Sequence, residues 1–532
     1  MDQFQLPVLS ALLLLTLFAA FCISLIPTKD KTSDELAEDC KRTSLFFAGL
    51  LFALSCVIYF LGFDATKSGL QLHQIITWIP NLASFELGVD GLSLSMVCLT
   101  TLLLPFVILA SDSAAKKTKP KLYYSLLYLL VFSVLGVFLA QDLLLFFLFW
   151  EFELIPMYLL ISIWGGENRQ KAANKFLIFT FLAGALILAG VLLLYWFSGS
   201  GSFSMLEITN QLKEIQSVGL LEKSAWIFQI PFFLFLIGFC IKLPSIPVHT
   251  WLPEAHVEAP TPISMLLAGV LLKMGGYGLI RVGLDFFPEL LIKYGPLLAI
   301  LGAINILGAA AYCLVQDDMK RVIAYSSVSH MGFVLLGLST YTAQGINGAV
   351  FQMFSHGVIS AGLFMLIGVI YERAHTRKIS AFSGLAANMP VYFFLFLGLA
   401  MANLGLPALS GFVGESLVFY SAFTSASSLG LVQVAAALST IGVVITAGYM
   451  LWLAKRLFYG EAMPKWSKLS DLKPVEVTIL GSCLGLSLLL GVYPRLLTDK
   501  TANTISIPSY ALQEKALSQK PQQKEVQNIE IH

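Results

Sequence analysis

Charged side chains are scarce in this sequence. Asp, Glu, Lys and Arg make up only 12% of the 532 residues, about half of their usual share in soluble proteins. Apolar residues form 57% of the chain and are gathered in blocks of about 20, the length that a helix needs to cross a bilayer. The net charge is only +1, so no general attraction to nucleic acid is expected. The composition excludes a large soluble protein and predicts an integral membrane protein.

Cysteine patterns typical of metal sites or disulfide frameworks are also missing. None of the seven cysteines forms a C-x-x-C pair, and most lie in apolar blocks, where Cys behaves as a small hydrophobic residue. We therefore expect no zinc site, no iron–sulfur cluster and no other cofactor in this chain. The N-terminus has neither a basic segment nor an A-x-A-like cleavage site, so we interpret the first apolar block as a retained helix.

Fourteen apolar blocks predict an all-α membrane fold of about 14 transmembrane helices. These blocks, here called spans 1 to 14, are residues 7–26, 44–63, 91–111, 121–140, 143–163, 173–197, 226–257, 263–283, 295–315, 322–339, 345–371, 391–421, 430–454 and 474–493. Residues 68–90 are too polar to span and predict a re-entrant or surface excursion. We expect one polytopic domain over residues 1–500, followed by an exposed or disordered polar tail at 501–532.

The distribution of basic residues predicts the orientation of the chain. Most of the 33 Lys and Arg residues lie in the connections that follow odd-numbered spans. By the positive-inside rule, those connections are cytoplasmic. Both termini are then expected on the opposite side of the membrane.

Two spans contain residues that break helices. These are Pro244 and Pro247 in span 7, and Gly405, Pro407 and Gly411 in span 12. Spans 4–8 and 9–13 form two sets of five, and the broken helix is the fourth in each set. Because five is an odd number, consecutive sets must have inverted topology. The sequence therefore predicts two inverted five-helix repeats, with a core at residues 121–457.

Ionisable residues inside the spans are candidates for function. A charged side chain at the bilayer centre costs about 2.5–3.5 kcal/mol on insertion scales. Lys242 and Glu415 each lie beside a predicted break, and Lys273 lies in the middle of span 8. Glu151 lies in span 5, and Glu153 points about 200° away from it around a regular helix. Only one of the two carboxylates can then face a given polar path; we favour Glu151 and leave the role of Glu153 open.

Two histidines lie at middle depth in neighbouring spans. His330 is in span 10 and His356 is in the antiparallel span 11. Histidine titrates near neutral pH and can pass on a proton through either ring nitrogen, so this pair could carry protons. The alternatives are hydrogen-bonded structural histidines, or the two axial ligands of a haem.

Further charged residues lie at the ends of spans 7 and 8. His249, Glu254, His256 and Glu258 follow the break in span 7, but their spacing fits no strong zinc pattern. We interpret them as a proton entry from the cytoplasm or as a structural loop. Arg281 lies near the end of span 8, where we expect it to extend its guanidinium to the membrane surface.

Five segments together resemble one known family. They are WEFELIPMYLL, KLPSIPVHTWLPEAHVEAPTPISMLLAGVLLKMGGYGLIR, KRVIAYSSVSHMGF, QMFSHG and LPALSGFVGE. These segments are similar to the antiporter-like subunits of respiratory complex I, over roughly residues 90–495. Glutamate at position 415 resembles the M-type (mitochondrial subunit 4-type) subunit. The W-E-x-E-L-I-P pattern resembles the D-subunit of the photosynthetic NAD(P)H dehydrogenase-like complex of cyanobacteria and chloroplasts. Glu254 departs from the family, in which aspartate is expected.

The resemblance implies roles for the buried residues. Glu151 would pair with Lys242, Lys273 would be the central relay, and His330 and His356 would lead to Glu415. The chain would be the proton-translocating membrane subunit of an NAD(P)H/ferredoxin:plastoquinone oxidoreductase.

The resemblance also implies a setting. The chain would lie in lipid, in a cyanobacterial thylakoid membrane, beside other membrane subunits that include neighbouring antiporter-like subunits. The iron–sulfur clusters and plastoquinone would be bound elsewhere in the complex. Residues 28–90 and the tail match the family poorly, which would fit a carbon-dioxide-uptake form of the complex.

Two other functions remain open. A subunit of a multi-subunit cation/proton antiporter shares these motifs, and sodium-dependent exchange without quinone-linked activity would identify it. A non-pumping structural subunit is the other alternative, and normal proton pumping after neutralisation of Glu151, Lys242, Lys273 and Glu415 would establish it.

Overall fold

The computed structural model describes residues 7–29, 31–80, 82–217, 225–425 and 430–502. Twelve helices in these ranges are long and apolar enough to cross a membrane. Two shorter apolar helices, Phe228–Lys242 and Pro390–Asn403, are the first halves of spans 7 and 12. Together they correspond to the 14 predicted spans, so the all-α membrane fold is confirmed. The tail from residue 503 onward lies outside the described residues.

The N-terminal part contains five helices and one hairpin. Its elements are α1 (Val8–Leu25), α2 (Ser33–Val57, continued by a π-turn at Ile58–Gly62), β1 (Gln71–Ile79), β2 (Ala83–Val89), α3 (Gly91–Leu109), α4 (Asp112–Lys117) and α5 (Pro120–Leu139). Helix α2 begins 11 residues before the predicted span because Thr32 and Glu35 form a capping box that starts the helix in its polar segment. The polar stretch 68–90 forms the antiparallel hairpin β1–β2, in which Ile76 pairs with Phe85.

The remaining helices follow the predicted two sets. The first set, which begins with α5, continues through α6 (Leu143–Phe152), α7 (Leu154–Trp164), α8 (Arg169–Ser198), α9 (Met205–Ser217), α10 (Ala225–Lys242), α11 (Trp251–Glu258) and α12 (Thr261–Phe286). The second set contains α13 (Pro288–Leu314), α14 (Met319–Ser339), α15 (Ala343–Ala374), α16 (Pro390–Asn403), α17 (Ser410–Thr424) and α18 (Leu431–Phe458). Helices α19 (Pro474–Val492) and α20 (Arg495–Ala502) close the described part.

Both predicted breaks are present. Residues 243–250 separate α10 from α11, and residues 404–409 separate α16 from α17. At the second break Gly405 has a φ of +77°, which favours glycine. A Cβ atom on Gly411 would lie 2.2 Å from the carbonyl oxygen of Ala402, so the two half-helices approach each other too closely for any side chain at this position.

Three helices occupy the centre of the molecule. Within the most apolar 18-residue stretch, all residues of α12 and α15 are buried, and 94% of those of α14. In α2, α18 and α19 the corresponding share is 33%, so these helices lie at the periphery. The central helices carry Lys273, His330 and His356, and the fold therefore shields these ionisable side chains from the surrounding lipid and water.

Candidate functional site

A row of buried ionisable side chains runs from α7 and α10 through the central helices to α17. Lys242, Lys273 and Glu153 are fully buried, and His330, His356 and Glu415 are at most 6% exposed. These groups come from six different helices or helix ends. The structure thus brings together five of the six residues predicted from the sequence, and adds Glu153.

Lys242 and Glu153 form the first contact in the row. Lys242 is the last residue of α10, immediately before the break that Pro244 introduces. Its Nζ atom donates a hydrogen bond to Glu153 Oε1, and neither side chain is accessible to solvent. The ammonium also lies over the rings of Trp150 and Phe176, at 5.8 and 5.4 Å from their centroids. The ion pair and the aromatic faces together compensate for the loss of hydration.

The expected pairing of Lys242 with Glu151 is therefore wrong. The resemblance had implied the pairing with Glu151. In the structure α6 ends at Phe152 and α7 begins at Leu154, with Glu153 at the junction. Pro156 has no N–H group to donate to the carbonyl of Phe152, so the regular turn is interrupted here. The proline in WEFELIP was the signal in the sequence for this interruption.

Glu151 points towards α8 instead. A Cβ atom on Gly184 would lie 1.5 Å from Glu151 Oε1, so the absence of a side chain at Gly184 makes room for the carboxylate. Oε1 is buried, and it has no hydrogen-bond partner among the described residues. Glu151 is thus a half-buried carboxylate beside the ion pair, and not a member of it.

Lys273 is the central cation. It follows a π-turn at Leu267–Leu271 in α12, an irregularity often found at functional sites. Its Nζ atom donates to the carbonyl of Ala268 and lies 2.8 Å from His356 Nδ1. The buried ammonium thus has a partner on another helix, His356 of α15.

The two histidines connect Lys273 to Glu415. The ring centroids of His330 and His356 are 5.6 Å apart. His330 Nδ1 lies 3.4 Å from Glu415 Oε1 and 3.3 Å from Gln352 Nε2. The space beside the two rings holds only about 10 Å³ of water-accessible volume, which is far too little for a haem macrocycle. This geometry favours a proton path over the haem alternative.

A small polar cavity lies beside the histidines. It provides about 10 Å³ of water-accessible space, roughly what one water molecule needs. Its walls include Gln352 and Asn403, which sequence reasoning missed. Four atoms around the cavity are buried without a hydrogen-bond partner among the described residues: His330 Nε2, His356 Nε2, Gln352 Oε1 and Asn403 Nδ2. Buried polar groups normally have partners, so this cavity is suited to hold water.

Glu415 ends the row beside the second break. It lies in the second turn of α17, and a Cβ atom on Gly405 would be 2.6 Å from its Oε2 atom. The backbone of the break therefore lies directly against the carboxylate. Gly405, predicted to break the helix, and Glu415, predicted to carry protons, are therefore neighbours in space.

The residues around α11 have separate partners. Glu254 accepts a hydrogen bond from Lys175 at 2.6 Å, and Glu258 accepts one from the backbone of Asn168 at 3.0 Å. His256 is buried and stacks on Phe364, with ring centroids 4.4 Å apart. Within the described ranges, no group of three His, Cys, Asp or Glu side chains could hold a metal ion.

Arg281 is mostly buried and bound to another side chain, a contact that the sequence analysis did not predict. Its Nη2 atom lies 2.5 Å from Asp90 Oδ2, and its side chain is only 11% exposed. Asp90 caps the start of α3, which places a buried carboxylate beside the end of α12. The two residues are 191 positions apart, and no local pattern pointed to their contact.

Two family models match the chain. The model described as NADH:quinone oxidoreductase/Mrp antiporter, TM, matches residues 140–446, which is more than half of the chain. The model described as NADH-ubiquinone oxidoreductase chain 4, amino terminus, matches residues 43–140. Together the matches run from α2 to α18, so the expectation that residues 28–90 match the family poorly is wrong for residues 43–90.

Similar proteins include NAD(P)H-quinone oxidoreductase chain 4 of Synechococcus elongatus, which is 45% identical over 501 residues, covering 94% of this chain and 91% of that protein. A chain 4 protein of Nostoc sp. is 41% identical, covering 96% of this chain and 93% of that protein.

Solved structures have the same fold. A chain of respiratory complex I from Thermus thermophilus has a TM-score of 0.80 and 28% identity, covering 94% of this chain and 99% of that chain. A chain of the Mrp complex from Dietzia sp. also has a TM-score of 0.80, but at 20% identity, with 94% and 96% covered, it shows the fold alone. By its sequence and its fold, this chain belongs to the family of antiporter-like chain 4 membrane subunits of complex I-type NAD(P)H-quinone oxidoreductases.

Proposed function

We propose that this chain moves protons along the row Glu153–Lys242, Lys273, His356, His330 and Glu415. As a member of its family, the chain is a proton-translocating subunit of a quinone oxidoreductase complex, and the residues that carry the protons are our inference. The observation that supports it is one contact between two of these groups. The contact of Lys273 Nζ with His356 Nδ1 at 2.8 Å joins a buried cation to a buried histidine pair at the centre of the bundle.

The first step is the opening of the Lys242–Glu153 pair. Both groups are fully buried, so their mutual attraction is little screened by water. A change of charge in a neighbouring subunit would draw the two apart and leave the ammonium of Lys242 without its counter-charge in a desolvated site. The proton then moves towards Lys273. The helix that carries Lys273, α12, packs directly on the end of α10 beside Lys242. The close packing is evident at Gly275, where a Cβ atom would lie 2.6 Å from the backbone nitrogen of Leu243.

The second step runs through the histidines. Lys273 passes the proton to His356 Nδ1, and the cavity beside the rings carries it through water from one imidazole to the other. His330 Nδ1 then faces Glu415 Oε1. Glu415 would release the proton to the non-cytoplasmic side, next to the break between α16 and α17.

The cyanobacterial relatives and the distribution of basic residues support a proposal for the setting of this relay. We infer a cyanobacterial thylakoid membrane, with both termini in the lumen and with iron–sulfur clusters and plastoquinone in other subunits. The neighbours would be further membrane subunits of the complex, some of them antiporter-like.

Purification of the tagged chain tests this setting. We expect quinone-reductase subunits to accompany it, and carbonic-anhydrase-like partners in addition if the complex is the carbon-dioxide-uptake form. Co-purification with a small set of antiporter subunits alone would contradict the proposal.

Substitution of Lys242 tests the relay. In assembled complex, Lys242→Ala should lower the number of protons pumped per electron transferred to quinone. Normal pumping by this variant would refute the relay as drawn.

A further inference from the structure

The half-helix α11 is held at its C-terminal end by two cationic side chains from the second repeat. Lys320 Nζ donates to the carbonyl oxygen of Ala259 at 2.6 Å. Arg377 Nη1 donates to the carbonyl oxygen of Val257, also at 2.6 Å. These carbonyls lie in the last turn and at the C-cap of α11, where the last carbonyls of a helix have no partner within the helix.

Lys320 makes this contact while it is almost fully buried. It is 4% exposed and is the second residue of α14. A buried ammonium requires strong compensation, and the partial negative charge at the C-terminus of a helix supplies part of it. The burial therefore indicates that Lys320 is fixed against α11 and does not extend into water.

Arg377 belongs to the same network. Its Nε atom lies 3.4 Å from Asp318 Oδ2. Asp318 also caps α14, since its Oδ1 atom accepts from the backbone nitrogens of Lys320 at 2.8 Å and Arg321 at 3.3 Å. One carboxylate thus organises both cations that reach α11.

The opposite side of α11 is tied to the first repeat. Lys175 of α8 binds Glu254, and the turn before α8 donates the backbone N–H of Asn168 to Glu258. The half-helix is therefore held between the two repeats, and residues of both repeats bind its last turn.

The side chain that α11 presents to the interior is His256. Both of its ring nitrogens are buried without hydrogen-bond partners among the described residues, and the ring stacks on Phe364 of α15. The backbone carbonyl of His256 accepts a hydrogen bond from Ser264 Oγ at 3.1 Å, which joins α11 to α12, the helix that carries Lys273. Movement of α11 along its axis would change the place of this histidine relative to Lys273.

We propose that Lys320 and Arg377 are positioning residues for proton transfer. They fix the C-terminal end of α11 and thereby set the position of His256 relative to α12 and its Lys273. This proposal rests on the relay described above, because it assigns these residues a role only through Lys273.

Variants of the assembled complex test the proposal. Lys320→Met removes the donor to Ala259, and we expect protons pumped per electron to fall about as far as in Lys273→Ala, with the complex still reducing quinone. Lys320→Arg keeps a long cationic donor and should restore most of the ratio, which a loss of general stability would not explain. The matched control is Arg321→Met, because Arg321 is the next residue and its side chain is exposed.

The outcomes separate the two proposals. Normal pumping by Lys273→Ala would overturn the relay itself. If Lys273→Ala loses pumping but Lys320→Met keeps a normal ratio of protons to electrons, only the role of Lys320 and Arg377 is overturned. The same holds if Arg321→Met lowers this ratio as much as Lys320→Met does. If Lys320→Met does not accumulate in the membrane, the same ratio is measured in Arg377→Met. A normal number of protons pumped per electron in that variant overturns the proposal.

Discussion

Glu151 and Glu153 are two residues apart and have different surroundings. Glu153 is fully buried and bound to Lys242, while Glu151 is half-buried and faces Gly184. Removing one partner of a buried ion pair leaves an uncompensated charge, which typically costs about 3–5 kcal/mol. The two carboxylates should therefore respond differently to neutralisation.

We predict that Glu153→Gln lowers proton pumping per electron more than Glu151→Gln does. In Glu153→Gln the ammonium of Lys242 keeps a hydrogen-bond acceptor but loses its counter-charge. The measurement is proton uptake by vesicles at a known rate of quinone reduction, with equal amounts of assembled complex. A larger loss in Glu151→Gln would contradict the pairing that the structure shows.

Asn403 is the second test at the residue scale. Its Nδ2 atom is buried beside the histidine cavity without a partner among the described residues. Asn403→Leu would remove a donor to water in the cavity, so we expect slower proton transfer from His356 to Glu415 and reduced pumping. Ile359→Leu, on the wall of the same cavity, is the volume-conserving control and should pump normally.

The sequence was most informative for residues whose presence in an apolar span is itself unusual. Lys242, Lys273, His330, His356 and Glu415 were identified because an ionisable side chain at that depth is costly. Their partners were harder to predict, since contacts such as Lys273 with His356 depend on the packing of distant helices. Gln352 and Asn403 are neutral, and their importance appears only with the cavity that they line.

The two broken helices are the elements that bring the backbone close to the ionisable side chains. Lys242 ends α10 at one break, and Glu415 lies against Gly405 at the other. Proline and glycine made both breaks predictable from the sequence. The smaller interruption at Glu153 was missed because a single proline in an apolar segment does not show at which residue the helix is interrupted.

Gly405→Ala tests the second break. The φ of +77° costs an L-residue about 1–2 kcal/mol, and the new Cβ atom would lie 2.6 Å from Glu415 Oε2. We expect a lower unfolding temperature and reduced pumping, because the carboxylate must move. Gly448→Ala in α18 is the matched control, since its Cβ atom would contact nothing within 4 Å. Equal effects of the two substitutions would show that the contact with Glu415 is unimportant.

At the scale of the whole molecule, ion pairs join parts of the chain that are far apart in the sequence. Arg281 binds Asp90, which ties the end of the first repeat to α3, and Arg373 binds Glu476 at 2.7 Å, which ties α15 to α19. The hydrophobic blocks predicted how many helices cross the membrane, and the break positions predicted the repeat. Neither pattern predicts the long-range ion pairs that join the repeats to the peripheral helices.

Arg281→Met should destabilise the assembly of these helices. Asp90 would remain buried with its charge uncompensated, at a cost of about 3–5 kcal/mol. The expected result is a lower unfolding temperature of the purified complex. Restoration of stability by the double variant Arg281→Met/Asp90→Asn would confirm the cause, and an unchanged unfolding temperature in Arg281→Met would contradict it.

The central claim is that protons pass through Lys273, and the number of protons pumped per electron tests it most directly. The measurement compares membrane vesicles carrying Lys273→Ala with vesicles carrying Lys171→Ala, an exposed lysine outside the row, at equal amounts of assembled complex and equal rates of quinone reduction. We predict a lower ratio in Lys273→Ala and an unchanged ratio in Lys171→Ala. An unchanged ratio in Lys273→Ala would contradict the relay.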